Sequence, residues 1–112
     1  MTPVRASQDF SAIDPNEEVV LSIDFGTYLP TEDTVASVTS WTCTVAPKSL
    51  GADNSPASRL VGSPSASGNV VTQVVGGCIA NAMYVMEAAV VTSGGQHLSI
   101  WAFLPCGTPG IG

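Results

Sequence analysis

The sequence predicts an all-β chain. An antiparallel β-sandwich of about six or seven strands fills residues 16–105, with an extended arm at 1–15 and a flexible Gly/Pro tail at 106–112. Three observations carry this expectation. Apolar and polar side chains alternate at period two along several runs, as they do on strands with one buried face. No run shows the period of an amphipathic helix. Turn signals rich in Gly, Pro, Asn and Asp separate the runs at spacings of roughly 12–20 residues, a rhythm that suits a sandwich. A small β-barrel is the alternative architecture. At 112 residues the chain is large enough for one core and too small for two.

The elements follow in order. Within 1–15, Phe10 and Ile13 are isolated apolar residues among polar ones, too few to make a core. The arm is therefore expected to become ordered only on a neighbouring subunit, with those two side chains as anchors. Asp14-Pro15-Asn16-Glu17 forces an extended or turn geometry before the first sandwich strand. Residues 18–25 place Val19, Leu21, Ile23 and Phe25 on one face, with Glu18, Val20, Ser22 and Asp24 on the other. A turn over 26–33, with Pro30, Glu32 and Asp33, stops that strand. In 34–45, Trp41, Cys43 and Val45 share a face, and Trp41 is the expected anchor of the core. Residues 47–56 have the composition of a solvent-exposed loop tip. A short strand at 59–61 leads to a turn at 62–68. The strand at 69–75 is partly apolar on both faces, which leaves its inward face open.

The stretch that organises the rest is 76–92. After Gly76 and Gly77, Tyr84, Met86, Ala88 and Val90 alternate with Val85, Glu87, Ala89 and Val91. The lone carboxylate marks the second set as the wetter face. Gly94 and Gly95 supply a tight turn into 98–104, so the two late strands should pair as a hairpin. If Leu98, Ile100, Ala102 and Leu104 point inward, Trp101 and Phe103 stand outside beside Val85, Ala89 and Val91. That arrangement is an apolar patch on an outer sheet face, and such patches mark interfaces. The opposite register would put the two aromatics in the core. Tyr84, near the start of a late strand after a Gly-rich turn, stands where an immunoglobulin-like sandwich carries its tyrosine corner.

Composition narrows the function classes. Only 11% of residues are charged, against about 25% in an average soluble domain. A surface so poor in charge suits life inside a larger assembly. The net charge is −6, with Arg5, Lys48 and Arg59 the only Lys or Arg residues. Three dispersed cations cannot track a phosphate backbone or hold an anionic bilayer, so no nucleic-acid or membrane partner is expected. No apolar run approaches the ~20 residues that cross a membrane as a helix. The first residues lack the apolar core of a secretory signal, and cytoplasmic synthesis is the default expectation.

No catalytic constellation is visible. His97, the only histidine, lies beside the hairpin turn without a placed nucleophile, and a general base needs one. The glycine pairs match no phosphate-binding motif. The acidic groups at 14–18 and 32–33 lack calcium-loop spacing and read as solvated carboxylates at strand ends. Neither metal nor cofactor is expected. Cys43, Cys78 and Cys106 are not spaced as a zinc site. They are expected to be reduced, Cys43 as a small core residue and Cys106 as a near-terminal thiol. One disulfide in an extracellular particle is the rival reading.

Three segments together resemble the small immunoglobulin-like virion proteins of tailed bacteriophages, of the fibre-tail adaptor type. They are Asp14-Pro15-Asn16-Glu17, then Val71-Thr72-Gln73 running into Gly76 and Gly77, then Tyr84 with the closing Thr92-Ser93-Gly94-Gly95. The likeness spans about 14–105. Cys78 and Asn81 stand where the turn commonly carries glycine. The resemblance implies a non-enzymatic virion component made in the bacterial host cytoplasm, present in many copies and contacting tail, neck, fibre or capsid subunits. Linking tail or neck to fibres is the expected role. A capsid decoration or cement protein is the alternative. A carbohydrate-binding module, with Trp101 as its stacking platform, is the weaker one. The expected interface residues are Phe10, Ile13, Val85, Ala89, Val91, Trp101 and Phe103.

Overall fold

The computed structural model describes residues 4–6, 8–29 and 32–107. Among these residues seven strands run in chain order: β1 (Val4–Arg5), β2 (Glu18–Asp24), β3 (Val35–Val45), β4 (Leu60–Ser67), β5 (Val70–Gly76), β6 (Met83–Thr92) and β7 (His97–Pro105). They form two sheets, a four-stranded one ordered β1-β7-β6-β3 and a three-stranded one ordered β2-β5-β4. Neither closes on itself, so the architecture is the sandwich and not the barrel. All pairs are antiparallel except β1 with β7. This distribution of strands between two sheets is the immunoglobulin-like one, with the first strand moved onto the edge of the last. The expected tail at 106–112 and turn at 26–33 fall partly outside the described residues, as do 1–3 and 7 of the arm.

The core lies between the inner faces. β6 contributes Tyr84, Met86, Ala88 and Val90, β7 contributes Ile100, Ala102 and Leu104, and β3 contributes Trp41 and Cys43. Opposite them stand Leu21 and Ile23 of β2, Phe25, and Val71, Gln73 and Val75 of β5. The alternation therefore gives the right inward set on β2, β3, β6 and β7, and the inward set of β5 is now decided. The Trp41 indole Nε1 faces Met86 Sδ at 3.5 Å. Met86 lies two residues after the corner tyrosine, the place where antibody domains carry the second cysteine of their inter-sheet disulfide.

Three expectations are corrected. Residues 62–67 are not a turn but the greater part of β4. Its pairing slips between Val61↔Val74 and Ser65↔Thr72, and Gly62 takes a φ of 71° there. Buried Gln73 spans the gap, its Nε2 donating to the carbonyls of Val61 (3.1 Å) and Gly62 (3.2 Å). Pro64 is tolerated because β4 is an edge strand.

The cysteines are not all reduced. Cys78 and Cys106 form a disulfide, and only Cys43 is a free thiol, buried in the core. The sequence hides this pairing because 28 positions separate residues that the β5–β6 connection and the end of β7 bring together.

The arm does not wait for a neighbour. Its amides at Ala6, Phe10 and Ile13 donate to the carbonyls of Trp101, Phe103 and Pro105, at 2.8, 3.0 and 3.1 Å. The edge of β7 in the same chain supplies the docking groove that two apolar side chains by themselves do not reveal.

Candidate interaction surface

The outer face of the four-stranded sheet is set by register. Arg5, Trp101, Glu87 and Thr42 form one row across β1, β7, β6 and β3. Phe103, Val85 and Thr44 form the next, and Ser99, Ala89 and Ser40 another. Since inward positions alternate with these, Val85, Ala89, Val91, Trp101 and Phe103 are all placed on this face, each half-buried. The outward register expected for the two aromatics is the one observed.

Trp101 and Phe103 pack edge to face, with centroids 5.2 Å apart and planes at 82°. The Arg5 guanidinium lies 5.3 Å from the Trp101 centroid and 5.1 Å from that of Phe103. It pairs with Asp9 at 2.9 Å, and Asp9 Oδ1 accepts the Phe103 amide at 3.0 Å. That amide holds the Asp9 carboxyl below its usual pKa, with Arg5 adding to the effect. The cation and carboxylate are exposed, so the ion pair contributes little by itself. Its consequence is geometric: the arm is latched across the aromatic pair. Beside Phe103 the face dips into an open concavity of about 360 Å³ lined by Ala46, Pro47, Lys48 and Met83.

Phe10 and Ile13 lie elsewhere. Ile13 is 7% exposed in the core of its own chain, and Phe10 packs against Trp41 with centroids 6.4 Å apart. They close the side of the sandwich along β7 and do not join the outer patch. Sequence reasoning missed the Arg5–Asp9 latch, although i,i+4 opposite charges were there to be read. A second apolar row was also missed: Val20, Val74 and Val61 align across the outer face of the three-stranded sheet, with Val20 64% and Val61 42% exposed.

The loop at 47–56 is mostly exposed, as expected, but its Asp53 carboxylate enters a buried cluster. Tyr84 is fully buried, accepts the Ile79 amide at 3.0 Å and donates to Asp53 Oδ2 at 2.8 Å. Asp53 in turn faces Arg59 Nε at 3.4 Å, and Arg59 donates to the Gly77 carbonyl. Burial pushes the Tyr84 phenol up to about 12. Desolvation, with the nearby Asp53 charge, likewise pushes the Cys43 thiol up to about 12, leaving it protonated and unreactive. His97 is exposed beside the hairpin turn. Asp33 caps that turn, accepting from Ser93 Oγ and from the Gly94 amide at 2.7 Å. Among the described residues, no group of three or more His, Cys, Asp or Glu side chains is placed to hold a metal.

The fold is an immunoglobulin-like sandwich whose outer four-stranded face carries a latched aromatic pair. Residues 14–100 match the family model described as podophage GP4 fiber-tail adaptor protein gp77. The chain belongs to that family, a structural family of phage particles. No curated protein matches it.

Proposed function

We propose that this chain is a non-enzymatic linker in a tailed-phage virion, joining tail or neck to fibres, with the outer face of β7 and β6 as one of its docking surfaces. The observation that carries this reading is the Trp101–Phe103 pair, held edge to face outside the core, with Val85 opposite Phe103 and with Ala89 and Val91 continuing the same face beyond Trp101. Aromatic side chains with a neighbouring arginine are the residue types that dominate protein interfaces. The family match supports an adaptor, and the low charge supports residence among other subunits.

The test is a phage whose chain carries Trp101→Ser with Phe103→Ser. The isolated variant should fold, since both side chains lie outside the core, while particles built with it should lack the adaptor or the fibres beyond it. Particles with a full complement of fibres would defeat the assignment of this face. Finding the wild-type chain on the capsid shell instead of the tail would defeat the linker role itself.

A further inference from the structure

We propose that the Cys78–Cys106 bond is a redox staple for the end of the N-terminal arm around Ile13: with both thiols free the 105–107 segment that seats this end loosens and the end lifts, and closing the bond fixes it. The arm is held at its C-terminal end by residues on either side of Cys106. The Ile13 amide donates to Pro105, and the Gly107 amide donates to Ile13 at 2.8 Å, so Ile13 and Cys106 face each other as a parallel bridge. Cys106 is also the point where this segment meets the β5–β6 connection. Its amide donates to Ala82 at 2.9 Å and its carbonyl accepts Asn81 at 3.0 Å, while the disulfide ties it to Cys78. One short stretch therefore carries both the covalent tether and the seat of Ile13.

Cys106 and Gly107 lie past the β6–β7 ladder, which ends at Met83↔Pro105. Without the tether, the backbone hydrogen bonds to Ala82, Asn81 and Ile13 are what holds them, and a segment outside a ladder can open locally while the rest stays folded. Cys78 and Cys106 are only 3% and 4% exposed, so exchange chemistry at either sulfur also needs this opening. This end of the arm and the staple must then be coupled in both directions: freeing the bond frees the end, and freeing the end exposes the bond.

Closure balances with a low-molecular-weight disulfide as oxidant. One cysteine thiolate attacks it and displaces the first small thiol, leaving a mixed disulfide. The second cysteine attacks the protein-side sulfur and displaces the second, so two protein thiols are oxidised and one small disulfide is reduced to two thiols. A chain made in a reducing cytoplasm would keep this end of the arm free until the particle meets an oxidising medium. That timing rests on the virion reading, whereas the staple itself does not.

Amide hydrogen exchange on the full chain, oxidised and then treated with a phosphine reductant, reads the coupling. Reduction should speed exchange at Ile13 and Gly107 by about tenfold or more while leaving Ala88 and Val90 within about twofold. The double variant Cys78→Ala with Cys106→Ala should behave like the reduced protein and ignore the reductant. Ile13→Ala in the oxidised protein should speed reduction of the bond. Equal Ile13 exchange in the two redox states would overturn the staple, as would β6 opening together with the arm. Two titratable thiols at Cys78 and Cys106 after air oxidation would overturn it as well.

Discussion

Tyr84 joins two loops that are distant along the chain. Its hydroxyl takes the Ile79 amide from the β5–β6 connection and gives its proton to Asp53 from the β3–β4 loop, so it anchors both to the core. Tyr84→Phe keeps the ring and leaves a buried carboxylate and an amide short of a partner. That should cost about 1–3 kcal/mol in chemical denaturation. The pH dependence has a definite sign. The folded phenol titrates at about 12 and an unfolded tyrosine at its ordinary 10.0, so its stabilisation is complete below pH 10 and is lost as pH rises from 10 towards 12. The urea midpoint should fall across that window in the wild type, and the fall should be smaller in Tyr84→Phe. Trp41, 4% exposed with its indole on Met86, is the other residue on which much depends. Trp41→Ala should cost about 3–5 kcal/mol, enough to unfold a domain of ordinary stability, and an unchanged melting temperature would remove it from the core. Both residues were legible, because each stands on the apolar side of a clean alternation. Asp53 was not, because a carboxylate in a polar loop gives no sign of what will fold over it.

At the scale of elements, alternation was readable wherever one sheet face is wet. It placed β2, β3 and the β6–β7 hairpin, and it failed on β5, where Val70, Val71, Val74 and Val75 make both faces apolar. β4 was unreadable for a different reason. Its glycine and proline residues are turn signals by composition, and only the buried amide of Gln73 makes a bulged strand of them. Of the two departures from turn glycine, Asn81 takes a φ of 68°, the left-handed region that asparagine tolerates better than most residues, and Cys78 forms the disulfide. Closing a 28-residue separation should contribute about 3–4 kcal/mol by restricting the unfolded chain, so Cys78→Ala with Cys106→Ala should melt well below the oxidised wild type. The arm's latch adds an acid limit. The Asp9 carboxyl is lowered chiefly by the Phe103 amide, so its contribution is present above its unfolded pKa and is lost as pH falls through the folded one. The Phe103 amide resonance should move with that titration, and Asp9→Asn should leave it flat.

Over the whole molecule, the two sheets differ in how their outer faces are built. The three-stranded sheet shows Val20, Val74 and Val61 among serines and threonines, whereas the four-stranded one carries the aromatics and the arm that crosses them. The aromatic patch was legible from one choice, that the Leu98-to-Leu104 set points inward. The arm's place on it was not, because a segment with two anchors does not say whose groove it fills. With the arm docked, Arg5 covers part of the Trp101 and Phe103 rings, yet both side chains remain partly exposed, Phe103 beside the Pro47–Met83 concavity. A net charge of −6 opposes association, so any self-association of the isolated chain must come from apolar surface or an open sheet edge. We expect sedimentation velocity to show concentration-dependent association of the wild type. Trp101→Ser with Phe103→Ser should reduce it while the melting temperature stays close to that of the wild type. Deleting residues 2–9 should increase association instead, because it removes the Arg5 cover and opens the β7 edge while leaving Ile13 in the core. A wild type that is monodisperse at every concentration would remove this face from the association surfaces. A truncated chain that associates less than the wild type would make the arm itself the contact, and the cover assigned to Arg5 would fail.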